Sequence, residues 1–331
     1  MSCGFWDALS MVGVSCNVPT IGAIWTKQTA TSSNVELAGS SSLASMLYTS
    51  NSNLQFTDDT GATWSATGAS GTDQQPSVSA DGGRMTIINQ SGSYRQGFLR
   101  NGGGWSNCTS SYTTNNINVL KICGSKLFAS GFDNFFDEKT IESTDWGVSW
   151  SVITNITLTT VNTVYSDYSG TTLIARLAGN ASHGISLNSG SSYSSITTPV
   201  ANDALDKYAI SGNGSIVYLK AATDNKLYKS IDNCASFADI NINLPADIVA
   251  GTPACSNDGS VVMADAFNTA TGKYGIAVSA DEGDSFVFIT ALSITGLDTA
   301  TIQVPICDST GYKIALAVYG GAAAGIYYSA E

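Results

Sequence analysis

The stretch "STDWGVSW", Ser143 to Trp150, sets a serine, an aspartate, a glycine and a tryptophan at its first, third, fifth and eighth positions. The aspartate can accept hydrogen bonds from backbone N–H groups about two residues ahead, and the serine hydroxyl can do so more weakly. The glycine takes a positive φ without a Cβ clash. These residues specify a tight turn. The closing ring then has apolar area to bury, on the order of 2–3 kcal/mol, in the space around a sheet's outer edge.

The pattern returns along the chain as "TDDTGATW" (Thr57 to Trp64), "SLNSGSSY" (Ser186 to Tyr193), "SIDNCASF" (Ser230 to Phe237) and "SADEGDSF" (Ser279 to Phe286), with a weaker copy in "FLRNGGGW" (Phe98 to Trp105). The turn-forming residues are therefore Asp59, Gly61 and Trp64; Asp145, Gly147 and Trp150; Asn188 and Gly190; Asp232; and Asp281 and Gly283. Cys234 stands where the other strong copies have glycine, so that turn is expected to be either strained or differently shaped. The final aromatics fall at 64, 105, 150, 193, 237 and 286, in steps of 41 to 49 residues, the period of a four-stranded propeller blade. Upstream of each copy lies a short apolar strand, a polar turn and a second apolar strand, as in "KYAISGNGSIVYLK". Each unit reads as an inner hairpin, a third strand, the eight-residue turn and an outer strand.

Seven such hairpins can be counted, around residues 35–47, 77–88, 118–130, 163–176, 208–220, 253–265 and 305–318, but only six complete eight-residue copies. The last hairpin leads into "IYYSAE", which begins a copy and stops, while "IGAIW" (Ile21 to Trp25) supplies the glycine and tryptophan that end one. The expectation is an all-β seven-bladed β-propeller of four-stranded antiparallel blades over residues 21–331, its ring closed by an N-terminal strand joining the C-terminal blade. The rival reading makes "IGAIW" accidental and the seventh blade incomplete. Residues 1–20 then form an extension whose Phe5, Trp6, Leu9 and Met11 either cover its own propeller or dock onto another subunit.

Composition agrees and narrows the function. Only 12% of residues are charged, and no stretch shows apolar recurrence at helical spacing. The net charge of −12 would repel a phosphate backbone, which argues against nucleic acid as a partner. No span reaches the roughly 20 apolar residues of a membrane-crossing helix. The N-terminal "MSCGFWDALSMVGVSCNVP" carries Asp7, lacks a basic start and shows no small-residue cleavage site, so it reads as mature sequence. Cysteines number seven, and Cys123, Cys255 and Cys307 occupy equivalent hairpin positions, which favours unpaired core thiols over disulfides or metal. With His183 the lone histidine and no CxxC pair, no metal site and no cofactor is expected.

The repeats, with "STDWGVSW" and "TDDTGATW" the most specific, resemble the Asp-box (BNR) propellers, which include sialidases, xyloglucanase-type glycoside hydrolases, the sortilin ectodomain and photosystem II assembly factors. The resemblance implies a fold and a turn, because the Asp box is structural and not catalytic. It also implies ligand binding on the face opposite the eight-residue turns, near the channel. A sialidase of this family needs three arginines from different blades, whereas this chain has only Arg84, Arg95, Arg100 and Arg176, three of them in one blade. A photosystem assembly factor of this group presents a basic patch, and this chain is acidic.

On that face the loop "GFDNFFDEKT" interleaves Phe132, Phe135 and Phe136 with Asp133, Asp137 and Glu138, a combination suited to stacking on a sugar ring and bonding its hydroxyls. Its phenylalanines can equally tuck against the adjacent blade. Tyr94 and Arg95 occupy a comparable loop, and so does His183, read as solvated decoration. The expected function is a non-catalytic structural or recognition module of a virion or extracellular surface, part of a homo- or hetero-oligomer, with cell-surface glycan as the candidate partner. The alternative is a glycoside hydrolase using paired carboxylates from among Asp133, Asp137, Glu138, Asp203, Asp206 and Asp224.

Overall fold

In the computed structural model the strands run in chain order through seven four-stranded antiparallel blades set in a ring, an all-β seven-bladed propeller. The described residues are 24–29, 35–50, 53–67, 75–91, 94–109, 116–132, 138–153, 161–177, 183–201, 206–289, 301–319 and 325–330. Blade one consists of Val35–Gly39, Met46–Ser50, Asn53–Thr57 and Ser65–Ala66, ordered from the channel outward. Blades two to six repeat that order from innermost strands Ser77–Val78, Asn116–Cys123, Val161–Ser166, Lys207–Ile210 and Ile248–Cys255. Blade seven takes Thr301–Cys307, Ile314–Tyr319 and Gly325–Ala330 from the end of the chain. Its outer strand is Ile24–Thr29, which pairs antiparallel with Gly325–Ala330 and sets Trp25 opposite Ser329. The closure expected from the sequence is therefore formed, and it leaves the ring no open seam. Among the described residues no helix is long and apolar enough to cross a membrane. The proposed extension, residues 1–20, lies outside the described residues.

The five strong copies of the eight-residue turn share one hydrogen-bond scheme. In the Ser143–Trp150 copy the Ser143 hydroxyl donates to Asp145 Oδ1 (2.8 Å) and accepts from the Gly147 N–H (2.7 Å), while Asp145 accepts from the Ser149 N–H (2.8 Å) and hydroxyl (2.6 Å). The same four bonds recur around Asp59, Asp232 and Asp281. Asn188 reproduces the scheme by turning its NH2 toward Ser192 Oγ (2.8 Å). The hydroxyl at the seventh position, Thr63, Ser149, Ser192, Ser236 or Ser285, is thus as much a part of the turn as the aspartate. Cys234 adopts the glycine's conformation at φ 63°, donating its N–H to Ser230 Oγ at 2.9 Å, so its turn keeps the common shape and carries the strain of an L-residue there. In the weak copy Arg100 stands at the aspartate's position and instead pairs with Asp58 of the preceding blade at 2.7 Å, its guanidinium 4.2 Å from the centre of the Phe56 ring.

The core is divided among the seven blade-to-blade seams. At the closure seam, Leu37, Met46 and Tyr48 of blade one pack on Ala315, Ala317 and Ile326 of blade seven. The closing aromatics fill the outer part of the seam with the preceding blade. Trp64 does so between blades seven and one, Tyr193 between three and four, and Phe286 between five and six. Trp150 adds a hydrogen bond from Nε1 to the Cys108 carbonyl across its seam, at 2.8 Å.

Around the channel the inner-hairpin tips are laced together by backbone bonds. Ser41 N donates to Ala80 O (2.9 Å), Ser309 N to Ser41 O (2.6 Å), Asn257 N to Ser309 O (2.8 Å), Asn213 N to Asn257 O (3.1 Å) and Tyr168 N to Gly212 O (3.3 Å). Between blades three and four the tips touch so closely that a Cβ on Gly124 would stand 1.9 Å from the Ser169 carbonyl oxygen. The eight-residue turns lie on this same face, where Thr60 N, Ser189 N and Glu282 N donate to the tip carbonyls of Ala44, Thr171 and Ser260, each at 2.9 Å.

Cys108, Cys123, Cys234, Cys255 and Cys307 are free thiols; burial pushes the first four up to about 12. Among the described residues no group of three or more His, Cys, Asp or Glu side chains is placed to hold a metal ion.

Candidate functional site at the channel mouth

The innermost strand of each blade runs along the channel toward its hairpin tip, so a residue four positions before the tip faces the channel at its far end. Those residues are Glu36, Gln75, Lys121, Thr163, Lys207 and Thr252, and with Tyr165 and Arg176 they line a cavity of about 370 Å³. The innermost strands of blades three, four, six and seven each carry a register shift here, at Ile117/Val119, Val161/Thr163, Ala250/Pro253 and Ile302/Val304. Such bulges bend a strand and re-aim its side chains, and they concentrate beside functional sites.

The mouth is rich in cations. Lys121 Nζ donates to the Pro76 carbonyl at 2.9 Å, and Gln75 Nε2 to the Asn118 carbonyl at 2.9 Å. Among the described residues neither Lys121 nor Lys207 has a carboxylate within ion-pair distance, and Gln75 Oε1 and Arg176 Nε are buried without a partner. Burial pulls the Lys121 ammonium below the ordinary lysine value, against the upward pull of Glu36. Burial likewise lowers Lys207, and Arg176 lowers it further. Asp265, beside them, is pushed up to about 7 by burial, against the opposing N–H of Thr252 (2.5 Å from Oδ1) and the charges of Lys220 and Lys207. Burial brings Lys220 down to about 8.

Behind the ring lies a buried network in the seam between blades four and five. Arg176 Nη1 donates to the Asp206 carbonyl, which also accepts from the Tyr165 hydroxyl at 3.4 Å. The Asp206 carboxylate accepts from Ala222 N at 2.7 Å. His183 Nδ1 lies 2.6 Å from the Tyr208 hydroxyl and 3.9 Å from the Asp206 carboxylate. His183 is therefore not solvated decoration. It opens the strand His183–Ser186, every residue of which is buried, and its ring points into the seam.

Other expected site residues fall elsewhere. Tyr94 and Arg95 are not in a loop: they begin the strand Tyr94–Asn101, with Tyr94 exposed and Arg95 paired through its backbone with Asn116 of blade three. Asp206 is wholly buried in the network above, and Asp224 accepts from the Tyr228 hydroxyl at 2.5 Å within its own blade. Phe132 and Glu138 face each other as the last pair of a strand ladder. Asp133, Phe135, Phe136, Asp137 and Asp203 lie outside the described residues, as do the side chains of Phe132 and Glu138. Sequence reasoning missed Glu36, Gln75, Lys121, Lys207 and Arg176 as a group. The signal was present for the first four, each four residues ahead of a hairpin-tip serine: Ser40, Ser79, Ser125 or Ser211.

A closed ring of seven four-stranded blades around a polar-mouthed channel defines the class: this is a seven-bladed β-propeller. No protein-family profile and no curated protein matches the sequence. Solved structures do match. The GH74 xyloglucanase from Xanthomonas campestris superposes with a TM-score of 0.68 at 13% identity, over 92% of this chain and 53% of that one. YCF48 from Cyanidioschyzon merolae gives 0.61 at 11% identity, over 93% and 98% of the two chains. The Cps50 (Swd1) β-propeller domain from Myceliophteria thermophila gives 0.63 at 12%, over 94% and 99%. This chain spans about half of the xyloglucanase and nearly all of the other two, and at these identities the likeness is one of fold.

Proposed function

We propose that the protein is a non-catalytic recognition module that holds its ligand at the channel mouth, as part of a virion or extracellular assembly, with glycan as the ligand class. The observation that carries this reading is the polar ring of Glu36, Gln75, Lys121, Thr163, Lys207 and Thr252, one residue from each of six successive blades, around a cavity of about 370 Å³. That volume lies within the roughly 300–1,000 Å³ of ligand pockets, and its mixture of donors and acceptors suits a hydroxylated ligand. Sparse charge and abundant Ser, Thr, Asn and Gly support a displayed, extracellular setting.

The turn scheme supports placing the chain among the Asp-box propellers. It does not extend to sialidase chemistry: Arg84 stacks 3.9 Å from the centre of the Trp146 ring and Arg100 pairs with Asp58, so neither joins Arg176 at the mouth. The alternative, a glycoside hydrolase, needs two carboxyl groups about 5–9.5 Å apart across a cleft. Of its candidates, Asp206 and Asp224 are already bound within blades.

A glycan array read in parallel with a panel of chromogenic glycosides tests the proposal. Retention of glycan without product release is expected. Product release that disappears in Asp137→Asn or Glu138→Gln would replace it with the hydrolase reading.

A further inference from the structure

The mouth is cationic in a protein whose net charge is −12. Among the described residues, Lys121, Lys207 and Arg176 line one cavity with a single carboxylate, Glu36, which is exposed to solvent. The nearby Asp265 is held partly in its neutral form near pH 7, so it offsets the lysines incompletely. Gathering three cations here, two of them at a desolvation cost, is unfavourable for the unliganded protein, and an anion that enters the cavity offsets that cost. Around the cations stand Gln75, Thr163 and Thr252, which can exchange hydrogen bonds with hydroxyl groups, and Tyr165, which offers aromatic surface.

We propose that the channel mouth binds the charged end of an acidic saccharide, its anionic group held by Lys207, Lys121 and Arg176 and its ring hydroxyls by Gln75, Thr163 and Thr252. The assignment deepens the recognition role proposed above and rests on it. The cavity, at the small end of the ligand-pocket range, takes one sugar residue at the end of a chain and leaves the remainder in solvent. Glu36 at the rim disfavours the same anion and tempers its affinity.

Calorimetric titration of the full chain with glucuronate, glucose 6-sulfate and glucose tests this, the first two distinguishing a carboxylate from a sulfate as the anionic group. At least one acidic sugar is expected to bind about tenfold or more tightly than glucose, the loss of a charge-assisted contact being worth roughly that factor. Lys207→Met should weaken that binding by about tenfold while leaving the thermal transition in place, and Glu36→Gln, at an exposed position, should strengthen it. Glucose binding as well as both acids, an unchanged dissociation constant in a folded Lys207→Met protein, or weaker binding by Glu36→Gln would each overturn the assignment. Equal binding of all three sugars overturns it while sparing the recognition role. Binding of none, together with a blank glycan array, overturns both.

Discussion

At the scale of the residue, the fold depends on a carboxylate that accepts three hydrogen bonds in an exposed turn. Hydrogen bonds from Ser149, with that from Ser143, hold the Asp145 carboxyl at about 2, and Asp59 and Asp232 are held at about 2 by the equivalent hydroxyls. A folded-state value below the unfolded one, near 3.9, contributes stability that is complete above about pH 4 and lost as pH falls through 2. Asp265 works in the opposite sense: raised to about 7, it favours the fold most below about pH 4 and loses that contribution as pH rises through 7. The melting temperature is thus expected to drop steeply below pH 4, and Asp265→Asn to flatten the decline between pH 4 and 7. Calorimetric melts from about pH 2 to pH 8 check both. Asp145→Asn should be mild, since Asn188 already builds the same turn, whereas Asp145→Ala takes the acceptor from the donors of Ser143 and Ser149 and should lower the melting temperature more than Asp145→Asn does. Glycine positions differ too. A Cβ on Gly147 would meet the Cys108 carbonyl oxygen at 2.6 Å, but on Gly190 nothing nearer than 3.5 Å. Gly190→Ala should cost about 1–2 kcal/mol for backbone strain alone, and Gly147→Ala on the order of 3 kcal/mol, by denaturant melts.

At the scale of the element, the unit of stability is the seam and not the blade. Trp150 illustrates this, since its ring packs between blades two and three and its indole N–H reaches the backbone of the earlier blade. Trp150→Phe, which removes the hydrogen bond and keeps a ring, should cost about 1 kcal/mol, and Trp150→Ala about 3 kcal/mol, measured by urea titration. Equal losses would mean the ring itself contributes little. The turn and its aromatic were legible because their spacing is local and recurs in sequence. The site was not, because its members lie about 40 residues apart in separate blades and converge only when the ring forms. His183 shows the same limit: a histidine between Ser and Gly reads as exposed until the neighbouring blade brings Tyr208 and Asp206 against it.

At the scale of the whole molecule, the ring has two dissimilar faces. One is tied by backbone bonds between hairpin tips; the other opens into a cation-lined mouth broadened by bulges. Seven blades and the closure could be counted in the sequence because the last copy of the turn is split between the two ends of the chain, "IYYSAE" and "IGAIW". What the mouth binds could not, since composition reports an acidic chain and only the folded ring concentrates its few cations. Every seam depends on both neighbours, so the closing strand carries the architecture. The direct test is a cysteine pair, Trp25→Cys with Ser329→Cys, at residues whose Cα atoms are paired in the ladder and so within disulfide reach. Mass-spectrometric peptide mapping of the oxidised monomer should find a 25–329 disulfide within one chain, with stability raised by about 2–4 kcal/mol. Cysteines that stay reduced, or that pair only between chains, would contradict the closed ring.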